Sequence, residues 1–237
     1  MEKIVEITDL EFSYPDRKSV LRDIGIHAFK GESVGIVGAN GAGKTTLLFN
    51  LMGILQGSGS IRVCGLALGR KNRKEIRRRI GFVFQSPDDQ LFSTTVFDDV
   101  AFGPLNAGLS PDDAGERVRK ALAAVGMEGF EDRLPHHLST GEKKRVAIAS
   151  VLSMNPDILV MDEPTSDLDS GLRRKLIDLL GKIRKTTIIA SHDLRLIVEL
   201  CDRVYLLSSG TIQASGKPSS ILSDREIMAA AGLEALL

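Results

Sequence analysis

SVGIVGANGAGKTTLLFNL, Ser33 to Leu51, is the stretch that decides how this chain folds. Ser33 to Val37 is a short apolar run of strand character, Gly38 to Thr45 reads G-x-x-x-x-G-K-[ST], and Thr45 to Leu51 is a helical run. Strand, glycine loop and helix in that order are the context in which this pattern wraps a phosphate chain. Glycines at 38, 41 and 43 let the backbone turn tightly enough for its N–H groups to point inward, and the helix N-terminus adds partial positive charge. Asn40, Gly41 and Gly43 are expected against a nucleotide, with Lys44 on its β- and γ-phosphate oxygens. Thr45 is expected to place its hydroxyl on Mg²⁺ and Thr46 to donate to the α-phosphate. The cofactors this predicts are ATP and Mg²⁺.

Further along, ILVMDEPTSDLD (Ile158 to Asp169) opens with a continuous apolar strand that ends in paired carboxylates. Asp162 suits Mg²⁺ coordination, and Glu163 suits orienting and deprotonating a water in line with the γ-phosphate. A helix cap or surface turn is the bland reading of such a pair, and the apolar strand in front of it argues against that. His192 follows the next apolar strand, Thr186 to Ala190, which places it along the same sheet edge. A lone histidine is more often structural than catalytic. Here the company of the other motifs favours a hydrogen bond to the γ-phosphate or the lytic water. Tyr14, beside the Pro15-Asp16 turn, either stacks on adenine or simply packs. His136 and His137, in a loop, read as structural.

Length and composition bound the rest. The 237 residues suffice for a large core, as one domain or as closely joined subdomains. Basic and acidic residues number 31 each, so no global field attracts nucleic acid or an anionic membrane. The local exception, RKNRKEIRRR from Arg70 to Arg79, reads as a solvated helix face, with lipid headgroups or an acidic partner as the alternative. Cys64 and Cys201 stand far apart without metal-ligand spacing, which fits a reducing compartment. MEKIVEITDL lacks the features of a signal peptide, and no apolar stretch approaches the roughly 18 to 20 residues that cross a bilayer. A soluble chain is expected, with any membrane role supplied by a partner.

Lys3 to Tyr14 and Val20 to Phe29 alternate partially and read as antiparallel strands; with Ser60 to Val63 they form a small β layer over the nucleotide. Ile80 to Phe84 is expected as a buried strand ending at Gln85. From Ser86 to Ser153 the pattern turns helical. Ser110-Pro111-Asp112-Asp113 supplies a cap, a proline at the first helical position and first-turn acids, Gly126 a stop, and Gly141 to Met154 a further helix closed by Pro156. The remainder alternates strand and helix as far as Val204 to Leu207, which predicts a mostly parallel sheet with ligands at the strands' C-terminal ends. Asp224 to Leu237 reads as a last amphipathic helix. The expected fold class is α/β, a phosphate-loop NTPase with a mostly parallel core sheet, an antiparallel β subdomain and a helical subdomain inserted over 86–153, in a single domain 1–237.

LSTGEKKR, Leu138 to Arg145, completes the set, and with it the chain resembles the nucleotide-binding subunits of ABC transporters over essentially its entire length. Leu138-Ser139-Thr140-Gly141-Glu142 is similar to the family signature, usually LSGGQ. The resemblance implies that Ser139 and Gly141 bind the γ-phosphate held by a second copy or a related ATPase, so that two chains sandwich two ATPs. It makes Tyr14 the adenine-stacking aromatic, His192 the switch histidine and Gln85 a ligand of Mg²⁺ and the lytic water. Ser166-Asp167-Leu168-Asp169 becomes the loop that communicates between the two sites. Thr140 and Glu142 depart from the signature, and a carboxylate near bound phosphate is expected to weaken the closed dimer. Asp167 replaces the usual small residue.

FQSPDDQLF (Phe84 to Phe92), FDDVAFGP (Phe97 to Pro104) and FSYPD (Phe12 to Asp16) are similar to the ATPases of energy-coupling-factor and cobalt/nickel importers. That implies transmembrane importer subunits as partners, one of them inserting a short helix beside the Gln85 loop, and a place on the cytoplasmic face of the cell membrane. The end at Leu237 favours the cobalt/nickel type over the vitamin type, whose subunits commonly extend further. Two other classes compete. A soluble ABC ATPase acting on nucleic acid is weakened by the balanced charge, and a phosphate-loop kinase has no use for the signature, Glu163 or His192.

Overall fold

A computed structural model describes residues 2–236, except the side chains of Arg17 and Lys18. The chain opens with β1 (Lys3–Tyr14) and β2 (Arg17–Phe29), which pair antiparallel so that Val5 faces Ala28, Ile7 faces Ile26 and Leu10 faces Ile24. All six are buried, so one face of the hairpin is sealed by cross-strand apolar pairs. β3 (Ser33–Val37) leads through the glycine loop into α1 (Lys44–Leu51). β4 (Ser58–Val63) and β5 (Leu66–Ala67) then return to the first sheet, whose order is β2-β1-β4-β5.

The basic run forms α2 (Arg73–Arg79), of which only Ile76 is buried. Arg77 donates to the carbonyls of Met52 and Gly53, and Arg79 pairs with Glu75 and Asp157, so two of these charges hold neighbouring backbone and acids of the same chain. After β6 (Ile80–Val83) come α3 (Val96–Asn106), α4 (Pro111–Ala124) and α5 (Thr140–Leu152). Ser110 caps α4 by accepting from the Asp113 N–H, as its sequence predicts. These helices share an apolar core built on Val100, Val118, Leu122, Val146 and Ile148.

β7 (Ile158–Asp162), α6 (Ser170–Leu180), β8 (Thr186–Ser191), α7 (Leu194–Leu200) and β9 (Arg203–Ser208) alternate along the chain. β10 (Thr211–Gly216), half exposed and lacking a strong apolar pattern, adds an antiparallel edge that the sequence did not disclose. α8 (Pro218–Ile221) and α9 (Arg225–Ala230) close the described chain. The helix expected over Asp224 to Leu237 is thus much shorter. Gly232 takes φ 73°, which ends it, and the Leu236 N–H turns back to the Leu222 carbonyl. Leu237 lies outside the described residues.

The second sheet has the order β10-β9-β3-β8-β7-β6, parallel except for β10. β6, β7 and β8 are buried throughout and β3 from Val34 onward, which is why they read as continuous apolar runs. Leu47, Leu48 and Leu51 of α1 fill the space between the two sheets, each fully removed from water and each contributing about 1.5–3 kcal/mol. Because β3, β8, β7 and β6 are consecutive and parallel, the chain leaves all four at one edge. The residues that follow them there are Gly38, His192, Glu163 and, one residue past Phe84, Gln85.

Candidate functional site

The glycine loop is shaped by confinement. Gly43 has φ 108°, and a Cβ there would stand 2.9 Å from Leu21 Cδ2 and 3.3 Å from the Val20 carbonyl oxygen. Gly38 has even less room, with the Leu207 carbonyl oxygen 2.3 Å from where its Cβ would be. No side chain caps the start of α1, so its first-turn N–H groups are open to an anion. Lys44, the first residue of that helix, is buried. It donates to the Gly38 carbonyl at 2.8 Å and stands 3.1 Å from Glu163 Oε1, an ion-pair contact outside hydrogen-bond geometry.

Thr45 donates its hydroxyl to Asp162 Oδ2 at 2.7 Å. The other carboxylate oxygen of Asp162, Oδ1, is buried and has no hydrogen-bond partner. Burial pushes the Asp162 carboxyl above its ordinary range, against the Thr45 hydrogen bond that pulls it down. The Thr45 hydroxyl, the buried Asp162 carboxylate bonded to it, with a free oxygen, and the exposed Gln85, which lines the same cavity as Thr45, are oxygen donors of the kind Mg²⁺ takes, so the residues fit that ion.

Glu163 has φ 44°, a left-handed conformation rare for a side-chain-bearing residue. Its N–H still donates to the Ala190 carbonyl at 2.8 Å, so the backbone kinks while it remains tied to β8. Its Oε2 accepts from Ser191 Oγ at 2.9 Å and from the His192 N–H at 3.2 Å, and lies 2.9 Å from His192 Nδ1. Burial alone would raise its pKa, but the His192 hydrogen bond and the Lys44 charge outweigh it and hold the carboxyl below its ordinary range. The group is a carboxylate at neutral pH.

Most of these side chains border one cavity of about 1030 Å³; Asp162 and Ser191 are not in its lining, and Asp162 reaches it through its hydrogen bond with Thr45. Asn40, Gly41, Gly43, Lys44, Thr45 and Thr46 line it from the loop and α1, and Gln85, Glu163 and His192 from the neighbouring strand ends. Tyr14 lines it from β1, its hydroxyl 3.4 Å from Thr46 Oγ1 and its ring edge-on to Phe12 with centroids 4.9 Å apart. Ser139 and Gly141 lie outside this lining, at the start of α5. There Glu142 Oε2 accepts from the Ser139 N–H at 2.8 Å and its hydroxyl at 2.7 Å, while Ser139 Oγ accepts from the Glu142 N–H at 3.4 Å, a capping box.

The structure adds residues to which sequence reasoning gave no role. Asp193 accepts from Arg173 at 2.7 Å and from the Thr165 hydroxyl at 3.0 Å, and caps α7 by accepting from the Leu196 N–H, which fixes the turn that carries His192. Ser191, fully buried, anchors Glu163. An aspartate ahead of an apolar helical run is a readable cap signal; the buried serine offers none.

Residues 21–166 match the family model described as ABC transporter. The energy-coupling factor transporter ATP-binding protein EcfA of Methanocaldococcus jannaschii is 47% identical over 236 residues, which cover 97% of this chain and 85% of that protein. Among solved structures, cbiO1 from Clostridium perfringens, part of the ABC transporter complex cbiONQ, matches with a TM-score of 0.87 at 38% identity, covering 97% of this chain and 94% of that one. The dimeric ATP-binding cassette MJ0796 in a post-hydrolysis state, bound to ADP and Pi, matches with a TM-score of 0.81 at 28% identity over 90% of this chain and 98% of that one. With a phosphate loop, paired carboxylates and a capped signature helix set on this fold, the chain belongs to the ABC transporter family as an ATP-hydrolysing subunit of the energy-coupling-factor and CbiO-like group.

Proposed function

We propose that this subunit energises import of a transition-metal ion, cobalt or nickel, through membrane-spanning partners on whose cytoplasmic face it sits, working as a sandwich of two chains. One observation carries the two-chain reading. The loops of four adjacent strands gather a phosphate-binding cavity, yet Ser139 and Gly141 lie outside it. A second copy, or a related ATPase, that lays its own α5 N-terminus over Lys44 completes the γ-phosphate site.

In that arrangement the N–H groups of the loop and α1 wrap the phosphates, Thr46 donates to the α-phosphate and Tyr14 stacks on adenine. Lys44 exchanges the Gly38 carbonyl and Glu163 for β- and γ-phosphate oxygens. Thr45, Asp162 and Gln85 hold Mg²⁺, which when bound supplies positive charge at those oxygens. Glu163, relieved of Lys44, aims a water at the γ-phosphate and takes its proton on the carboxylate as the γ-phosphoryl group leaves ADP. His192, steadied by the Asp193 turn, stabilises charge on the transferring phosphoryl group.

Among the described residues no helix is long and apolar enough to cross a membrane. Phe92 and Phe102, 67% and 51% exposed, meet edge-on with centroids 5.0 Å apart, and the exposed Leu105 follows on α3. This apolar patch, which begins at Phe92 a few residues beyond Gln85 and continues on α3, suits a short helix of a membrane subunit. The similarity to EcfA supports a second reading, uptake of a vitamin or other micronutrient through an energy-coupling-factor complex. Tagging the protein in its own cell, solubilising membranes gently and identifying what co-purifies tests both. Small integral membrane proteins support transport, and their identity separates metal from vitamin; only soluble or ribosomal partners would overturn transport.

A further inference from the structure

We infer that Lys144 is a positioning residue that ties the signature helix α5 to the γ-phosphate side of its own chain's site, so that nucleotide held in one chain sets the orientation of the Ser139 which that chain offers to the other. The inference rests on the two-chain reading above.

Lys144 is 4% exposed, although it sits in the run Lys143-Lys144-Arg145. Its neighbours behave as surface residues: Lys143 pairs with Asp88 at 2.6 Å, and Arg145 donates to the Gly126 carbonyl at 3.3 Å. The ammonium of Lys144 instead donates to the Gln85 carbonyl at 3.1 Å, the Ser166 hydroxyl at 3.1 Å and the Glu163 carbonyl at 3.4 Å. An ammonium carries three donors, and here one goes to one loop and two to another. The first follows β6 and carries Gln85; the second joins β7 to α6 and carries both Glu163 and Ser166.

Among the described residues no side-chain carboxylate closes on this charge; those of Asp167 and Glu163 act on it only through their fields, and burial lowers its pKa. Burying an ammonium among neutral oxygens is costly compared with an apolar side chain of similar shape. What the lysine supplies for that cost is a fixed distance between α5 and two loops that bear on the γ-phosphate. A second tether runs beside it: Gln90 accepts from the Phe84 N–H at 3.1 Å and donates to the Ala147 carbonyl of α5 at 2.7 Å. The Gln85 loop and the signature helix are therefore joined at two points. Ser139 caps the same helix five residues before Lys144, so a shift of the Gln85 or Glu163 backbone is passed to it by a rigid element.

The test uses the full chain carrying Glu163→Gln, which keeps the Glu163 carbonyl while stopping turnover. Two quantities are read: the affinity of dilute single chains for a fluorescent ATP analogue with Mg²⁺, and the dissociation constant of the ATP-dependent dimer. Adding Lys144→Met is expected to weaken the dimer about tenfold while single-chain nucleotide affinity stays within about twofold. Ser166→Ala, which leaves nothing large to repack, is expected to weaken the dimer about threefold on its own and to add nothing once Lys144→Met is present. Dimerisation unchanged in both variants, additive losses, or an equal fall in single-chain affinity would each overturn the role of Lys144. A parent that fails to dimerise would instead remove the two-chain reading beneath it.

Discussion

The ammonium of Lys44 lies 3.1 Å from Oε1 of Glu163, and each side chain is only 7% exposed. Two residues read as serving opposite ends of one reaction, one for the phosphate and one for the water, are thus paired with each other inside the protein. Replacing Glu163 by Gln leaves Lys44 facing a neutral amide, although Ser191 and the His192 N–H keep an acceptor. The variant is expected to lose about 2 kcal/mol at pH 7. Its dependence on pH has a definite sign. The folded pKa of Glu163 lies below its ordinary 4.5, so its contribution is complete above pH 4.5 and is lost as pH falls through the folded value. Urea unfolding should show a gap between parent and variant at pH 7 that narrows in acid; a gap independent of pH contradicts the assignment.

Asp162 behaves in the opposite sense. Its folded pKa is raised, chiefly by burial, so the ionised carboxylate costs stability until something positive meets Oδ1. Asp162→Asn is expected to melt no lower than the parent in chelator, to lose the thermal shift that ATP with Mg²⁺ gives the parent, and to lose at least about a hundredfold in hydrolysis. An undiminished Mg²⁺-dependent shift would remove Asp162 from the ion's shell.

Glu142 offers a third test. Its carboxylate is held below its ordinary range, first by the Ser139 hydroxyl and then by the Ser139 N–H. Bringing Ser139 to a γ-phosphate brings that negative charge with it. Glu142→Gln keeps a capping group and removes the charge, so the ATP concentration for half-maximal dimerisation should fall about fivefold, equivalent to about 1 kcal/mol. Weaker dimerisation would mean that the carboxylate assists closure.

The Phe92 and Phe102 rings separate docking from chemistry. Both are exposed, and neither lines the nucleotide cavity. Phe92→Ser with Phe102→Ser should leave the ATPase rate of the isolated protein within about twofold and abolish recovery of membrane subunits in the pull-down, since exposed apolar anchors carry much of an interface's energy. Retained membrane partners would place docking elsewhere.

Much of this was legible in the sequence because the chemistry sits where the chain must leave a buried strand. Apolar runs such as Ile158 to Met161 declare parallel strands, and the polar residues just after them declare the ligand edge. What stayed hidden depends on packing across long separations. Lys144 reads as one more solvated charge in a basic run until α5 is docked on the Gln85 loop. β10 is too polar and small-residue-rich to show a strand period, and the last helix stops at Ala230, just before the left-handed Gly232, although the pattern around it is still amphipathic. That Ser139 lies outside the cavity is likewise invisible in spacing, because it follows from where the helices between β6 and β7 pack.

The central claim is that the site is completed by a second chain. It is tested most directly by measuring the mass of Glu163→Gln by light scattering during size-exclusion chromatography, with and without ATP and Mg²⁺. Twice the mass of one chain with ATP and Mg²⁺, returning to one without them and abolished by Ser139→Arg, is the predicted result. A single-chain mass at high protein concentration under saturating ATP and Mg²⁺ would contradict the account.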